Sequence, residues 1–87
     1  MKRRLLLASE VVEFLEQLPP RERTKIWNRL QQIARMPDQF EEYQERDATG
    51  RELSGHVFGD FSILFWDDLA DRHVKIMGIA LADVAEQ

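Results

Sequence analysis

The last third of the chain predicts three consecutive antiparallel strands, and this prediction limits the fold more than any other feature of the sequence. Residues 51–58 and 61–66 are two apolar-rich runs separated only by a Gly-Asp pair. Such a pair is typical of a tight hairpin turn, in which glycine supplies a positive φ. A polar turn at 67–72 follows, and residues 73–79 form the third run. A sheet of this kind needs a second layer of structure to cover at least one of its faces.

The first half of the chain predicts one short strand and two helices. Residues 2–8 are an apolar-rich strand candidate, and Ser9 is a suitable N-cap for a helix that ends at Pro19-Pro20. The second helix is expected from about residue 20 to 36, where Pro37 stops it. Apolar residues recur at helical spacing in both segments, at Val11, Phe14, Leu15, Leu18, Ile26, Leu30 and Ile33. The two helices are therefore expected to form an antiparallel hairpin that packs on the sheet.

The segment between this helical hairpin and the strands is the most acidic part of the chain. Residues 38–50 contain five carboxylates and one cation, Arg46, and the aromatic residues Phe40 and Tyr43 interrupt them. We expect a solvated connector with a helical turn and two aromatic anchors. The predicted element order is then β-α-α-β-β-β, an α+β fold in which residues 1–87 form a single domain with a small, mostly antiparallel sheet.

Composition and motif content exclude several kinds of chemistry. The chain has no cysteine, so disulfides, thiolate nucleophiles and zinc–thiolate sites are absent. The apolar run at 5–8 is too short for a secretion signal, and no stretch is long enough to span a membrane, which predicts a soluble cytoplasmic protein. We interpret the three aspartates of the turn at 67–72 as turn-forming residues and not as metal ligands: Asp67, Asp68 and Asp71. No phosphate-binding or dinucleotide motif is present, so no cofactor and no metal are expected.

Charge is distributed unevenly along the chain. Residues 1–35 contain eight Lys/Arg and four Asp/Glu, whereas residues 36–87 contain four and twelve. A nucleic-acid-binding domain usually carries a basic surface, which here would have to lie on the first strand and the second helix. We interpret the basic residues of that helix as an ordinary solvated face.

The middle strand of the last third is apolar on both faces. Phe61, Ile63 and Phe65 alternate with Leu64 and Trp66. A strand with two apolar faces is normally central in its sheet and covered on both sides. The helical hairpin covers one side, and the chain has too few elements to cover the other. The sequence therefore predicts a protein partner on this strand, with Leu64, Phe65 and Trp66 as the candidate partner-binding residues.

Five residues of the predicted sheet are candidates for a catalytic site. Cleavage of RNA without a metal needs cations near the scissile phosphate and a group that moves a proton. Histidine is the usual proton carrier near neutral pH. The sheet offers three cations and two histidines: Arg51, Arg72, Lys75, His56 and His73. Because residues 36–87 carry twelve acidic residues, we favour a sheet with scattered surface charge over a convergent catalytic site.

Three local motifs resemble the RelE/ParE toxin superfamily. Residues 53–55, Leu-Ser-Gly, are similar to the family's Leu-basic-Gly strand opening. Residues 59–65 resemble its Gly-Asp-Tyr-Arg-apolar-apolar-Tyr strand, and residues 74–84 resemble its last strand and the ending His-Arg-x-Asp-Val-Tyr. Together with the predicted element order, the resemblance extends over nearly the whole chain and implies a RelE/ParE-like fold.

The sequence departs from this family at positions that carry its chemistry. Ser54 and Ser62 stand where basic residues are common, Leu81 where an arginine is frequent, and Ala85 where a tyrosine is often found. In ribosome-dependent members, such cationic and aromatic residues hold mRNA and support its cleavage. The resemblance therefore does not carry ribonuclease activity over to this chain, and we lean against an enzyme.

The resemblance implies a toxin of a type II toxin–antitoxin (plasmid stabilization) system, or a degenerate relative of one. Members of this superfamily are typically encoded beside an antitoxin whose disordered segment folds across the toxin. ParE-type members act on DNA gyrase and need no nuclease site. We therefore expect action mainly through protein binding and neutralisation by a cognate antitoxin. The alternatives are a ribosome-associated mRNA endonuclease with an atypical site and a non-toxic interaction module on the same fold.

Overall fold

The computed structural model describes residues 3–82 and contains two layers, a five-stranded sheet and a pair of helices. Neither helix of this described part is long and apolar enough to cross a membrane. In chain order the elements are β1 (Arg4–Leu7), α1 (Ser9–Glu16), α2 (Pro20–Arg35), a short 3-10 helix (Pro37–Gln39), β2 (Tyr43–Arg46), β3 (Glu52–Phe58), β4 (Phe61–Asp68) and β5 (His73–Leu81).

The sheet has the strand order β1-β5-β4-β3-β2. Strands β2 to β5 form an antiparallel meander, and β1 pairs in parallel with β5. Apolar residues of both helices pack on one face of this sheet. The predicted α+β class, with a helical hairpin on a mostly antiparallel sheet, is confirmed.

The prediction that residues 38–50 form only a solvated connector is wrong in one respect, because this segment contains a fifth strand, β2. Strand β2 pairs antiparallel with β3, and Tyr43 lies opposite Gly55. The turn that joins the strands is held by Asp47, whose Oδ1 accepts hydrogen bonds from the backbone N–H groups of Thr49 and Arg51, each at 2.9 Å. The hydroxyl of Thr49 donates a third hydrogen bond to the same oxygen, at 2.6 Å. The three bonds, of which the one from the hydroxyl has the largest effect, lower the pKa of Asp47 below its ordinary value. Strand β2 was not predicted because its side chains are mostly charged or polar and do not alternate with apolar ones. An edge strand needs little apolar surface.

The start of α1 also differs from the sequence prediction. Ser9 is the first helical residue, and Ala8 occupies the N-cap position without a side-chain hydrogen bond. The other end of α1 is held by α2, because the Arg23 guanidinium donates to the carbonyl oxygens of Leu15 and Leu18, each at 3.0 Å. Carbonyls at a helix C-terminus have no partner within the helix, so this arginine both satisfies them and fixes the angle of the hairpin.

The core lies between the helices and the sheet. Phe65 and Ile63 of β4 are 1% and 0% exposed and lie in this core, in one cluster with Ile26 and Leu30 of α2. Full burial of such a side chain contributes about 1.5–3 kcal/mol relative to leaving it exposed. These contacts hold the helical hairpin on the face of the sheet to which β4 points its odd-numbered residues.

An irregularity in β5 changes which of its residues face the core. The register of β4 and β5 shifts between Leu64 and Phe65, where Leu64 pairs with Gly78 and Phe65 pairs with Ile76. The extra residue is Met77. Ile79 consequently packs against the same core as Ile76, although strict alternation predicts that Ile79 lies on the face of Met77.

Candidate functional site

The face of the sheet opposite the helices carries apolar side chains, and we call it the open face. On it the register places Leu6, Tyr43, Leu53, Val57, Leu64, Trp66 and Met77. Leu6 is 47% exposed and Val57 46%, so part of this surface is accessible to a partner. Leu53 is only 4% exposed and is nevertheless outside the core cluster beneath the helices. The open face therefore has a small apolar layer of its own.

Tyr43 covers the centre of β3. A Cβ atom added to Gly55 would lie 2.2 Å from Cζ of Tyr43, which means that the ring lies directly over the glycine. The hydroxyl of Tyr43 reaches β4 and is hydrogen-bonded to the hydroxyl of Ser62. Ser62, which stands where a basic residue is common in the resembling family, thus anchors the aromatic ring of the edge strand. Sequence reasoning missed this pair, although a glycine inside a strand is a signal for close approach of another group.

A groove of about 540 Å³ runs along the half of the open face next to the β3–β4 turn. Its central residues are small, namely Ser62, Gly78 and Ala80, while Val57 and Leu64 are larger apolar lining residues. The ionisable side chains that line it, among residues 3–82, are Tyr43 and the acidic residues Glu10 and Glu45. The groove is therefore apolar in the middle and acidic at its margin.

The other half of the open face carries two cations next to Trp66. The guanidinium carbon of Arg51 lies 4.1 Å from the Trp66 ring centroid, and Nζ of Lys75 lies 4.9 Å from it. Both distances are within the range of cation–π attraction. These three residues also border a second depression, together with Leu6 and Met77.

The two cations differ in their ionic partners. Nζ of Lys75 lies 2.9 Å from a carboxylate oxygen of Asp68 and 3.6 Å from one of Asp71. The hydrogen bond between Lys75 and Asp68 lowers the pKa of Asp68 and raises the pKa of Lys75. For Arg51, by contrast, the described part of the chain offers no carboxylate oxygen within 4.0 Å.

The candidate His73 lies beside this cluster and Arg72 in the adjoining turn. Nδ1 of His73 donates to the carbonyl oxygen of Asp71 at 2.8 Å and lies 3.1 Å from its carboxylate. Asp71 thus connects His73 with Lys75. Arg72 has a φ of 58°, the left-handed conformation that a tight turn requires.

The candidate His56 lies on the opposite side of the sheet. It is 5% exposed, beneath α2, and its Nε2 accepts a hydrogen bond of 2.8 Å from Arg29. Its Nδ1 lies 3.1 Å from a carboxylate oxygen of Glu42. Burial lowers the pKa of His56, and the nearby Arg29 adds to this effect, whereas Glu42 opposes it. Arg29 is itself held over the rings of Phe40 and Phe58. We interpret this cluster as a structural link between α2 and β3.

The five catalytic candidates therefore do not meet at one point. Arg51 and Lys75 meet at Trp66, and His73 is near them through Asp71. His56 is separated from them by the sheet. Among the partner-binding candidates, Leu64 and Trp66 are half-buried on the open face, but Phe65 is core and is not accessible from either surface.

Comparisons with known proteins identify the fold. No protein-family model matches the chain, and no curated protein matches it. A solved structure, the archaeal RelE–RelB complex from Pyrococcus horikoshii OT3, contains a chain similar to it, with a TM-score of 0.76 and 17% sequence identity. The superposition covers 97% of this chain and 99% of that chain. The protein therefore has a RelE-like fold.

Proposed function

We propose that this protein is the toxin component of a type II toxin–antitoxin system, or a degenerate relative, that acts in the cytoplasm mainly through protein binding and is neutralised by a cognate antitoxin. The observation that carries the proposal is the RelE-like fold over nearly the whole chain. The similar chain belongs to a complex of RelE with RelB, so a small protein of the antitoxin kind is the first partner to consider.

The open face supports protein binding as the mode of action. Its apolar side chains cluster in two places on one side of the molecule: Val57 and Leu64 line the groove, and Leu6 and Met77 line the second depression. Contiguous exposed apolar surfaces commonly mark interaction sites, whereas isolated exposed apolar residues do not. A protein partner would supply the cover that β4 lacks on this face.

The arrangement of the catalytic candidates favours binding over cleavage. General acid–base catalysis requires the proton carrier and the cations to reach the same reacting group. His56 is buried on the helix side of the sheet, and Lys75 is held by two carboxylates on the other. A protein target such as DNA gyrase is compatible with this arrangement because inhibition by binding needs no nuclease site.

An atypical mRNA endonuclease on the ribosome is the second candidate function. The cluster of Arg51, Trp66 and Lys75 favours it, with His73 close by. An aromatic ring flanked by cations suits a stacked base and its phosphate.

Induction of the protein alone in a bacterial host distinguishes these functions. Our proposal predicts growth arrest with intact mRNA. It also predicts that a short reading frame beside the gene encodes an antitoxin whose co-expression relieves the arrest. Changes in DNA supercoiling would identify gyrase as the target. Codon-specific cuts in translated mRNA would instead establish the endonuclease. If growth is unaffected whether the protein is expressed alone or with the antitoxin, the protein is not a toxin. An interaction module on the same fold would then be the remaining function.

A further inference from the structure

The two helices carry opposite charge. Helix α1 contains three glutamates and no cation, whereas α2 contains five cations and one glutamate. In the part of the chain that the structure describes, none of these groups has an opposite charge within 4.0 Å. Arg21, Lys25 and Arg29 also follow one another at four-residue intervals, a spacing at which like charges destabilise a helix. Opposite charges on another molecule would remove this cost.

An apolar seam with a cavity lies between the helices. Trp27 of α2 is 42% exposed and Val12 of α1 is 38% exposed. A cavity of about 220 Å³ between α1 and α2 is lined by Leu15, Arg23, Thr24 and Trp27. The guanidinium of Arg23 is already bound to carbonyl oxygens at the end of α1, so the cavity has an apolar character. Tryptophans that fill such pockets anchor many protein interfaces.

This surface is complementary to a second copy of itself. Both copies of a symmetric dimer use the same surface patch. A two-fold axis along the seam places the acidic α1 of each copy over the basic α2 of the other, whereas an axis across the helices would place like charges together. A nucleic acid on α2 would lie beside the glutamates of α1, whose charge repels phosphates.

The size of the helical layer predicts a weak dimer. Helix α2 has 16 residues and is therefore about 24 Å long, and two helices side by side are about 20 Å wide. Such a face buries roughly 1,000 Å² in total, near the lower limit for a specific interface. A micromolar dissociation constant is therefore expected.

We infer that the protein forms a two-fold symmetric dimer through its helical layer, in which Trp27 of each copy fills the cavity of the other. Glu13 and Glu16 of one copy then face Arg21 and Lys25 of the second copy, because all four are exposed near the turn that joins the helices. The open face of the sheet stays uncovered in this dimer, so the inference goes beyond the proposed function and does not depend on it.

Sedimentation velocity of the purified full-length protein tests the dimer. Over a series from about 1 to about 100 µM, which brackets a micromolar dissociation constant, the mass should rise from 10.3 kDa towards twice that value. Trp27→Ala should raise the dissociation constant about tenfold or more, because it removes the side chain that fills the cavity. Trp27→Phe, which keeps an aromatic ring, should weaken the dimer less.

Charge reversal tests the orientation of the two copies. One double variant carries Glu13→Lys and Glu16→Lys, and the other carries Arg21→Glu and Lys25→Glu. Each alone should be monomeric over the same concentrations, because its α1 and α2 have charges of one sign. An equimolar mixture of the two should form dimers again, since each helix then meets a helix of opposite charge in the other variant.

The control variant carries Arg4→Glu and Glu45→Lys, which reverse one charge of each sign at exposed positions of the sheet. It should dimerise like the parent. Circular dichroism and thermal unfolding establish that every variant has the parent fold.

Three outcomes would overturn the inference. The first is a parent protein that stays monomeric at about 100 µM, and the second is a pair of double variants that dimerise like the parent or stay monomeric when mixed. The third is a monomeric parent that binds a labelled single-stranded RNA of about 15 nucleotides through Arg21 and Lys25, which would make α2 a nucleic-acid surface. None of these bears on the proposed function, which growth arrest and its relief by the antitoxin test separately.

Discussion

At the scale of single residues, Gly55 is the position at which the open face depends most directly on the absence of a side chain. In Gly55→Ala the new Cβ would lie 2.2 Å from the Tyr43 ring, so the ring must leave its place and lose the hydrogen bond to Ser62. We expect the free energy of unfolding, measured in urea, to fall by about 1–3 kcal/mol, as in other overpacked sites.

The control for this prediction is Gly78→Ala in the neighbouring strand. The nearest atom there is 3.8 Å away, so stability should change by less than about 0.5 kcal/mol. In a Tyr43→Ala background, Gly55→Ala should cost much less than in the parent, because the clashing ring is gone. An equal cost in both backgrounds would show that the ring is not the cause.

His56 gives the molecule a predictable response to acid. Burial lowers its pKa in the folded state below the ordinary value of 6.5, so at slightly acidic pH the unfolded chain binds more protons than the folded one. The histidine's contribution to stability is therefore complete above about pH 6.5 and is lost as the pH falls towards the lowered pKa. Between pH 7 and 5.5 the free energy of unfolding should decrease, by at most about 1.4 kcal/mol per pH unit, the limit for one proton.

The variant His56→Gln tests this assignment, because glutamine retains an acceptor for Arg29 and cannot take up a proton. Its stability, measured by urea unfolding at each pH, should be nearly constant from pH 7 to 5.5. His73→Gln, which retains the buried histidine, should keep the acid-induced loss. A pH dependence of His56→Gln as steep as that of the parent would assign the effect to another group.

At the scale of secondary-structure elements, β4 separates folding from binding on its two faces. Phe65 is fully buried in the core, and a large-to-small change there typically costs about 3–5 kcal/mol, so Phe65→Ala should be strongly destabilised and Phe65→Asp should not fold. Leu64→Asp changes the open face, and its free energy of unfolding should lie within about 1 kcal/mol of that of the parent.

Binding supplies the second measurement for this strand. Leu64→Asp should fold but fail to co-purify with the antitoxin when the two are expressed together. If Leu64→Asp is folded and retains every partner of the parent protein, then the open face is not the binding surface. The comparison is matched because both variants place the same residue in the same strand, one position apart.

At the scale of the whole molecule, we predict that the helices and the sheet unfold together as one domain. One cluster of buried residues joins α1, α2, β4 and β5, so neither layer retains a core without the other. The two tryptophans report on the two layers, since Trp27 lies on α2 and Trp66 on the open face. Trp27→Phe and Trp66→Phe each leave one reporter.

Fluorescence of each single-tryptophan variant and far-UV circular dichroism should therefore give coincident urea transitions. Each curve is compared with the circular dichroism of the same variant, so that a change in stability caused by the substitution does not mimic a separate transition. Distinct midpoints for the two probes within one variant would show that the layers unfold separately.

Much of the fold was predictable because its signals are local. The helical stripe from Val11 to Ile33, the Gly-Asp turn and the alternation of β4 are each encoded by neighbouring residues, and the resemblance to RelE/ParE toxins depended on them. The site was less predictable. Arg51, Lys75 and Trp66 were all recognised as candidates, but their spacing in the sequence did not show that the two cations meet at one ring. The register of strands that are distant in sequence decides such contacts.

The sequence by itself determined the two-layer α+β architecture and the apolar character of both faces of β4, because periodicity and turn chemistry act over a few residues. Tertiary structure alone decided the pairing of β2, the placement of Tyr43 over Gly55 and the irregularity at Met77 that turns Ile79 to the core. It also placed His56 beneath α2, away from Arg51 and Lys75. The physical reason is that the face on which a strand residue lies depends on its register with a partner strand, and a shift of one residue reverses it.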